Sequence, residues 1–288
     1  MVKRYADLYL DARKALLPAE GEQAAVIARE LLCKVSGKTA AQFLSDRELY
    51  ASEELGAQME DGVRRILAGE PLPYVLEEWD FYGMTLKVTR DTLIPRDDTM
   101  AVADLAIKKA MFLDQNPRIL DLCTGTGCIG LAVANRVKDA RVTLADVSPE
   151  ALRVAKENAA RFSPRVSCIL ADVLQPASPL LKNYDLIVSN PPYVTDEEML
   201  ELPPSVRDYE PELALRGGED GLDFYRAIVK NFTCVLKEEG YICFEFGMGQ
   251  ENGVCAILEE GGYEILKLQE DSRGIIRAVM ARRKREEA

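Results

Sequence analysis

Asn190-Pro191-Pro192-Tyr193 follows an apolar run, Tyr184 to Val188, that reads as a buried strand. Two prolines cannot continue a hydrogen-bonded ladder, so Asn190 falls at the carboxyl end of a parallel strand, where open α/β sheets bind their ligands. The chemistry that suits this tetrapeptide is methyl transfer to a planar, conjugated nitrogen, a poor nucleophile whose lone pair is delocalised. The Asn190 side-chain oxygen and the Pro191 carbonyl, held by rigid proline geometry, can accept hydrogen bonds from both N–H bonds of an NH2 group. Those bonds favour a more pyramidal nitrogen with its lone pair aimed at the donor. Tyr193 would stack over the other face of the flat acceptor. Standing alone, the same four residues also read as a polyproline-like turn with a surface tyrosine.

A second constellation lies upstream. Arg118 to Leu122 reads as a strand that runs into Cys123-Thr124-Gly125-Thr126-Gly127 and then into a helix from Cys128 to Val137. The glycines allow a sharp turn and close backbone approach, and the helix start presents free N–H groups to a carboxylate or phosphate. Asp146 ends the next strand signal, Arg141 to Ala145, nineteen residues after Gly127. An acid at that distance is placed to accept hydrogen bonds from ribose hydroxyls. It also stands where it could cap the helix that Pro149 and Glu150 open. Asp172 follows the third strand and would sit beside an adenine in a doubly wound fold, with a capping role as its alternative. NAD and S-adenosylmethionine both fit a glycine loop followed by an acid. An acceptor clamp of two carbonyl oxygens has no use in hydride transfer, which selects S-adenosylmethionine.

The elements that must position these residues follow from pattern. Residues 3 to about 70 carry helical periodicity, as in Tyr5, Leu8, Ala12, Ala15 and Leu16, and have the size of a small helical bundle. Ser45 and Glu48 are spaced as a capping box opening the helix that runs to Leu67. Gly69-Glu70-Pro71-Leu72-Pro73 breaks the pattern as a linker, and alternation from Trp79 to Ile94 predicts a β-hairpin. From Thr99 onward helix and strand signals alternate, with strands near 118–122, 141–146, 166–170, 184–189, 240–246, 263–268 and 275–281. That alternation predicts a parallel sheet with helices on both faces.

Composition narrows the chemistry. The 288 residues contain no histidine, which excludes Ser-His-Asp and Cys-His catalysis and any histidine-ligated zinc; no metal site is expected. Seven cysteines without a Cys-x-x-Cys pair read as reduced and structural. No stretch approaches the ~20 apolar residues of a membrane span, and the first residues lack a signal peptide's apolar centre, so a cytoplasmic protein is expected. The net charge of −12 suits a protein or small-molecule acceptor better than a stably held nucleic acid.

At this point the sequence resembles the HemK/PrmC family, the N5-glutamine methyltransferases of peptide chain release factors. The resemblance runs from about Pro71 to Arg277. It is carried by Leu93-Ile94-Pro95-Arg96 with Thr99, the Asp121 to Gly127 loop and Asn190 to Tyr193. It continues in Tyr209-Glu210-Pro211, Leu213-Ala214-Leu215, Gly217-Gly218, Asp220-Gly221-Leu222, Tyr225-Arg226, Asp271, Arg273-Gly274 and Arg277. The first tetrapeptide is shared with nucleic-acid amino-methylating enzymes; the block from Tyr209 to Arg226 is much more specific.

The resemblance implies that Cys123, Thr124, Gly125, Thr126, Gly127 and Asp146 bind S-adenosylmethionine and that Val173, beside Asp172, lines the adenine pocket. It implies that Asn190 touches both ligands and that Asn190, Pro191, Pro192 and Tyr193 hold the substrate glutamine. That glutamine belongs to the Gly-Gly-Gln motif of class 1 release factors, with the helical N-terminal domain as the contact for the release factor. Cys123 replaces the usual first glycine of the loop. Glu77 stands where glycine is common, Asp97 where proline is common and Met100 where glutamate is common.

The expected fold is α/β: an S-adenosylmethionine-dependent methyltransferase domain, Rossmann-like with a seven-stranded, mostly parallel sheet, over 99–288. A helical bundle over 1–70 and a linker with a β-hairpin over 71–98 precede it. The Tyr209 to Arg226 block reads either as a surface loop with glycine turns or as a loop closing beside the acceptor site. Glu245 and Gly247 read either as packing residues or as pocket rim. The tail Arg282-Arg283-Lys284-Arg285 reads as a solvated end. With two domains and a release factor as partner, a monomer is the default. The rivals are a methyltransferase for the exocyclic amine of adenine or guanine, which should show a basic stripe, and an S-adenosylmethionine-binding module without chemistry.

Overall fold

The structure, a computed structural model, describes residues 2–163 and 165–285. The chain begins with α1 (Tyr5–Glu20), α2 (Ala24–Ser36), α3 (Ala40–Asp46), α4 (Glu53–Leu67) and α5 (Leu72–Leu76). A hairpin follows, β1 (Glu78–Phe81) and β2 (Met84–Lys87), and then α6 (Met100–Met111), β3 (Arg118–Leu122), α7 (Cys128–Arg136), β4 (Arg141–Asp146), α8 (Pro149–Phe162), β5 (Ser167–Leu170) and β6 (Tyr184–Ser189). Next come β7 (Val194–Thr195), α9 (Glu198–Glu201), α10 (Pro204–Arg207), β8 (Arg216–Gly218), α11 (Asp223–Phe232), β9 (Leu236–Glu245), α12 (Glu251–Glu260), β10 (Tyr263–Glu270) and β11 (Ile276–Arg283). Among the described residues no helix is long and apolar enough to cross a membrane.

Residues up to Glu77, together with Pro204–Tyr209, form one unit, and Glu78–Pro203 with the chain from Glu210 onward form the other. The first unit is helical. Leu8, Leu16, Ile27, Leu31, Leu32, Phe43, Leu55, Met59 and Ile66 make its core, drawn from the apolar faces of α1 to α4. Gly62 of α4 allows close approach to α2, since a Cβ there would lie 2.6 Å from Leu31 Cδ1. The Tyr209 hydroxyl donates to the Ala68 carbonyl at 2.8 Å within the same unit.

The Ser45–Glu48 capping box does not form. Ser45 lies in the last turn of α3, and α4 starts only at Glu53, where the Ser52 hydroxyl accepts from the Leu55 amide at 3.1 Å. The box present in this region opens α3 instead: Thr39 Oγ1 accepts from the Gln42 amide at 3.2 Å, and Gln42 Oε1 accepts from the Thr39 amide at 2.8 Å. The spacing of a serine and a glutamate makes a cap only where the chain also turns helical between them.

Glu77 ends α5 in the left-handed region, with φ 57° and ψ 19°, which explains why glycine suits this position. The side chain is exposed, and left-handed backbone costs a non-glycine residue roughly 1–2 kcal/mol. Glu77→Gly is therefore expected to raise stability by about 1 kcal/mol, after the flexibility that glycine adds to the unfolded chain. Urea titration of the two proteins measures this, and an unchanged or lower midpoint would remove strain at Glu77 as the explanation.

The second unit is built on a seven-stranded sheet in the order β10-β11-β9-β6-β3-β4-β5, in which only β11 runs antiparallel to its neighbours. Both faces are covered, which is why its central strands read as continuous apolar runs. Ile119, Leu186 and Val188 face one core with α6, α7 and α8, while Leu120, Leu122 and Ile187 face the other with α11 and α12. The β1–β2 hairpin belongs to this unit, with Phe81, Met84 and Leu86 buried in the first of those cores. Asn158 of α8, fully buried, anchors it: the side chain accepts from the Lys87 amide at 2.7 Å and donates to the Lys87 and Thr126 carbonyls at 3.0 Å. At the far end β11 takes up Arg282 and Arg283 of the basic tail, and Arg282 pairs with Glu264 at 2.6 Å.

Candidate active site

Strand register assembles the site. Leu122 of β3 pairs with Ser189 of β6 on one side and Ala145 of β4 on the other, and Ser189 pairs in turn with Phe244 of β9. One residue beyond those rungs stand Cys123, Asn190, Asp146 and Glu245. The chain passes from β3 outward to β4 and β5, then returns to β6 on the opposite side, so the crevice opens between β3 and β6 where the order reverses.

A cavity of about 350 Å³ occupies that crevice. Of the residues singled out from sequence, Cys123, Thr124, Gly125 and Thr126 line it along the β3–α7 loop, and Asp146, Asp172 and Val173 line it after β4 and β5. Asn190 and Pro192 line it after β6, and Leu93, Pro95, Thr99, Pro211, Leu213 and Ala214 from the motifs that carry the resemblance line it as well. Gly127, Pro191 and Tyr193 stand outside the lining. Gly127 is the N-cap of α7, Pro191 is buried, and the half-buried Tyr193 packs against the core shared with α11 and α12.

The glycine loop is held from beneath by two aspartates. Asp121 Oδ2 accepts from the Thr124 hydroxyl at 2.6 Å and the Gly130 amide at 2.9 Å, while Oδ1 is buried with no partner in the structure. Burial pushes its carboxyl up to about 7 against those two bonds. Asp146 accepts from the Gly125 amide at 2.8 Å through Oδ2 and from the Ser148 amide at 3.0 Å through Oδ1, and burial raises its carboxyl too. The cap of α8 is Ser148, whose hydroxyl accepts from the Ala151 amide at 3.1 Å, so Asp146 orders the loop rather than capping that helix. Asp172 Oδ1 accepts from the Leu174 amide at 2.9 Å in a local turn.

These groups suit a ribose-bearing cation better than a phosphate: the Asp146 and Asp172 carboxylates and the glycine loop face a cavity whose walls include Val173, Leu213 and Phe224. Cys123 has φ 56°, the left-handed conformation that makes glycine usual at the first position of such a loop.

Comparison with known proteins shows the family. A profile described as methyltransferase small domain matches residues 105–202, and one described as PrmC N-terminal domain matches residues 7–76. A relative from Clostridium acetobutylicum named release factor glutamine methyltransferase is 36% identical over 253 residues, which cover 87% of this chain and 88% of the relative. A relative of the same name from Agrobacterium fabrum is 35% identical over 277 residues, covering 94% and 95%. This chain belongs to the release factor glutamine methyltransferase family. Among solved structures, a methyltransferase from Pyrococcus furiosus matches with a TM-score of 0.51 at 17% identity, over 78% of this chain and 99% of that one, and shares the fold.

In this methyltransferase the Tyr209 to Arg226 block is not a free surface loop. β8 pairs in parallel with β7, the Val194 amide donates to the Leu215 carbonyl at 2.9 Å, and the Asp196 amide donates to the Gly218 carbonyl at 3.1 Å. The block therefore clamps the chain just after Tyr193. Gly217 lies so close that a Cβ there would sit 2.7 Å from Tyr193 Cα. Glu210, buried, joins this block to the Leu93–Arg96 segment: it accepts from the Ile94 amide at 3.2 Å and pairs with the Arg96 guanidinium. Two motifs 114 residues apart are thus one structure.

Sequence reading missed Gln250, whose Nε2 donates to the Tyr193 carbonyl at 3.0 Å and whose Oε1 accepts from the Gly247 amide at 2.9 Å. It also missed Asn158 and Phe224. No local pattern marks them, because each acts on a segment far along the chain. Asp97 and Met100, two departures from the family pattern, are exposed and outside the cavity lining.

Proposed function

We propose that this enzyme methylates the side-chain amide nitrogen of the glutamine in the Gly-Gly-Gln motif of class 1 peptide chain release factors, using S-adenosylmethionine. The observation that carries the reading is that Asn190 and Pro192 share one cavity with the glycine loop and Asp146, so an acceptor amide and a ribose-bearing cofactor would meet there. The names of the relatives supply the acceptor class.

Asp146 would take the ribose hydroxyls, Asp172 and Val173 the adenine, and the loop from Cys123 to Gly127 the methionine moiety. When bound, S-adenosylmethionine supplies a methyl carbon made electrophilic by its sulfonium. Asn190 Oδ1 and the Pro191 carbonyl accept the two N–H bonds of the glutamine amide, which turns the nitrogen lone pair toward the cofactor side of the cavity. The same two oxygens stabilise the positive charge that develops on nitrogen, and Tyr193 covers the face of the amide. Positioning supplies most of the acceleration, and the proton leaves nitrogen for solvent afterward. The products are N5-methylglutamine and S-adenosylhomocysteine.

The helical domain over 1–70 is the proposed contact for the release factor, with 71–98 as the connection and 99–288 as the catalytic domain. The enzyme acts in the cytoplasm as a monomer under this reading. Mass spectrometry of a class 1 release factor incubated with the enzyme and S-adenosylmethionine tests it. One added methyl is expected on the wild-type Gly-Gly-Gln glutamine and none on a Gly-Gly-Ala variant. An unmodified wild-type factor, with cofactor binding demonstrated, would overturn the assignment of the acceptor.

A further inference from the structure

Glu245 is the last residue of β9, with only 1% of its surface exposed, one residue beyond the rung that joins β9 to β6. Its buried Oε2 has no partner in the structure, and the neighbouring Thr99 and Asn190 side chains favour the charged form of its carboxyl. Asn190 Nδ2 also lies 3.4 Å from Thr99 Oγ1. Three buried or half-buried polar groups therefore meet behind the acceptor clamp, and neither the glycine loop nor the acceptor contacts need a carboxyl group at this place. An asparagine amide has a donor end and an acceptor end of nearly equal shape. For Asn190 to accept from a substrate N–H, its Nδ2 end must be turned inward and held there.

We propose that Glu245 is a positioning residue that accepts a hydrogen bond from Asn190 Nδ2, turns Oδ1 toward the glutamine amide and polarises it into a stronger acceptor. The inference rests on the function proposed above and deepens it. An ionised carboxylate can only accept hydrogen bonds, so it holds one orientation of the Asn190 amide. A protonated carboxyl can also donate to Oδ1 and compete with the substrate. Charge-assisted bonds are about twice as strong as neutral ones, and hydrogen-bond chains polarise along their length.

Every element packed around Glu245 contributes to its state. Asp98, just before α6, disfavours the charge, while Arg277 of β11 and the Thr99 and Asn190 side chains favour it. Tyr193, Cys128 of α7 and Tyr225 of α11 stand close as neutral groups, and the Tyr225 hydroxyl donates to the Glu245 carbonyl at 2.8 Å. Burial dominates and pushes the carboxyl from 4.5 up to about 8. Because the folded value is raised, Glu245 favours the folded state at low pH, and that contribution is lost as pH rises through the folded value.

Glu245→Gln keeps the shape and removes the charge. Initial rates of release-factor methylation at saturating cofactor and acceptor, taken from about pH 6 to about pH 10, should give a wild-type kcat that climbs through about pH 8. The variant should be flat and about tenfold below the wild-type plateau. Its S-adenosylmethionine affinity by calorimetry should stay within about threefold, and its Tm should exceed wild type by more at pH 9 than at pH 5. A carboxyl with only a structural role would not give lower turnover together with higher stability. A wild type that methylates with a flat profile, or a folded variant with wild-type turnover, overturns this inference alone. A wild type that binds cofactor and leaves the release factor unmodified at every pH overturns the proposed acceptor as well.

Discussion

Asn190→Ala lowers kcat for release-factor methylation by about 10²- to 10³-fold, while S-adenosylmethionine affinity changes by no more than about threefold. The asymmetry follows from position. Asn190 is one of many residues lining the cavity, so the cofactor keeps the glycine loop, Asp146 and Asp172 when this side chain is cut back. In the proposed reaction the acceptor amide, by contrast, would lose one of the two oxygens that orient it, and the Pro191 carbonyl alone would not define where the nitrogen lone pair points. Truncation also removes the Asn190 Nδ2 donor that stands 3.4 Å from the Thr99 hydroxyl, and a buried polar group left unpaired costs about 1–3 kcal/mol of stability. The measurement is a pair: single-turnover rate at saturating cofactor, and cofactor affinity by calorimetry. Equal losses in both would place Asn190 in cofactor binding rather than at the methyl acceptor, and an unchanged rate would remove it from the reaction.

Gly221→Ala is the second large effect, and it acts from outside the cavity. Gly221 has φ 72°, and a Cβ there would lie 2.3 Å from the Tyr193 carbonyl oxygen and 2.4 Å from Gln250 Nε2. The substitution therefore adds backbone strain of roughly 1–2 kcal/mol and also pushes apart the bond that fixes Tyr193. Displacement of the acceptor loop on the order of 1 Å is enough to cost about 10²-fold in turnover. kcat/KM for the release factor should fall by at least that factor, with cofactor affinity nearly unchanged because Gly221 itself does not line the cavity. Gly249→Ala is the control: it has φ 85° with nothing within 4 Å of its Cβ, so it carries strain without the collision. A Gly249 variant as inactive as the Gly221 variant would show that strain, not the Tyr193 contact, governs activity.

The parts of this enzyme that its sequence determined are those whose cause is local. Strands β3, β4 and β6 stand where their apolar runs place them, because a strand covered on both faces must be apolar throughout. The two motifs end up facing one cavity because each follows directly from a strand, and parallel strands bring their carboxyl ends to one edge. That glycine is usual at Cys123 and Glu77 came from the family resemblance, and the structure supplies the reason: left-handed backbone at both.

Long-range packing decided the rest. The helix cap expected at Ser45 belongs to Ser52, since capping depends on where tertiary contacts let the helix begin. Asn158 reaches across 71 positions to β2, Glu210 across 116 to Ile94, and Gln250 across 57 to Tyr193. Each satisfies a backbone group whose partner no neighbouring residue could supply, and buried polar groups must find such partners wherever the fold brings them. Glu245 is the clearest case. A glutamate at the end of an apolar strand is ambiguous in sequence; only the pairing of β9 beside β6 places it, buried, in the position next to Asn190.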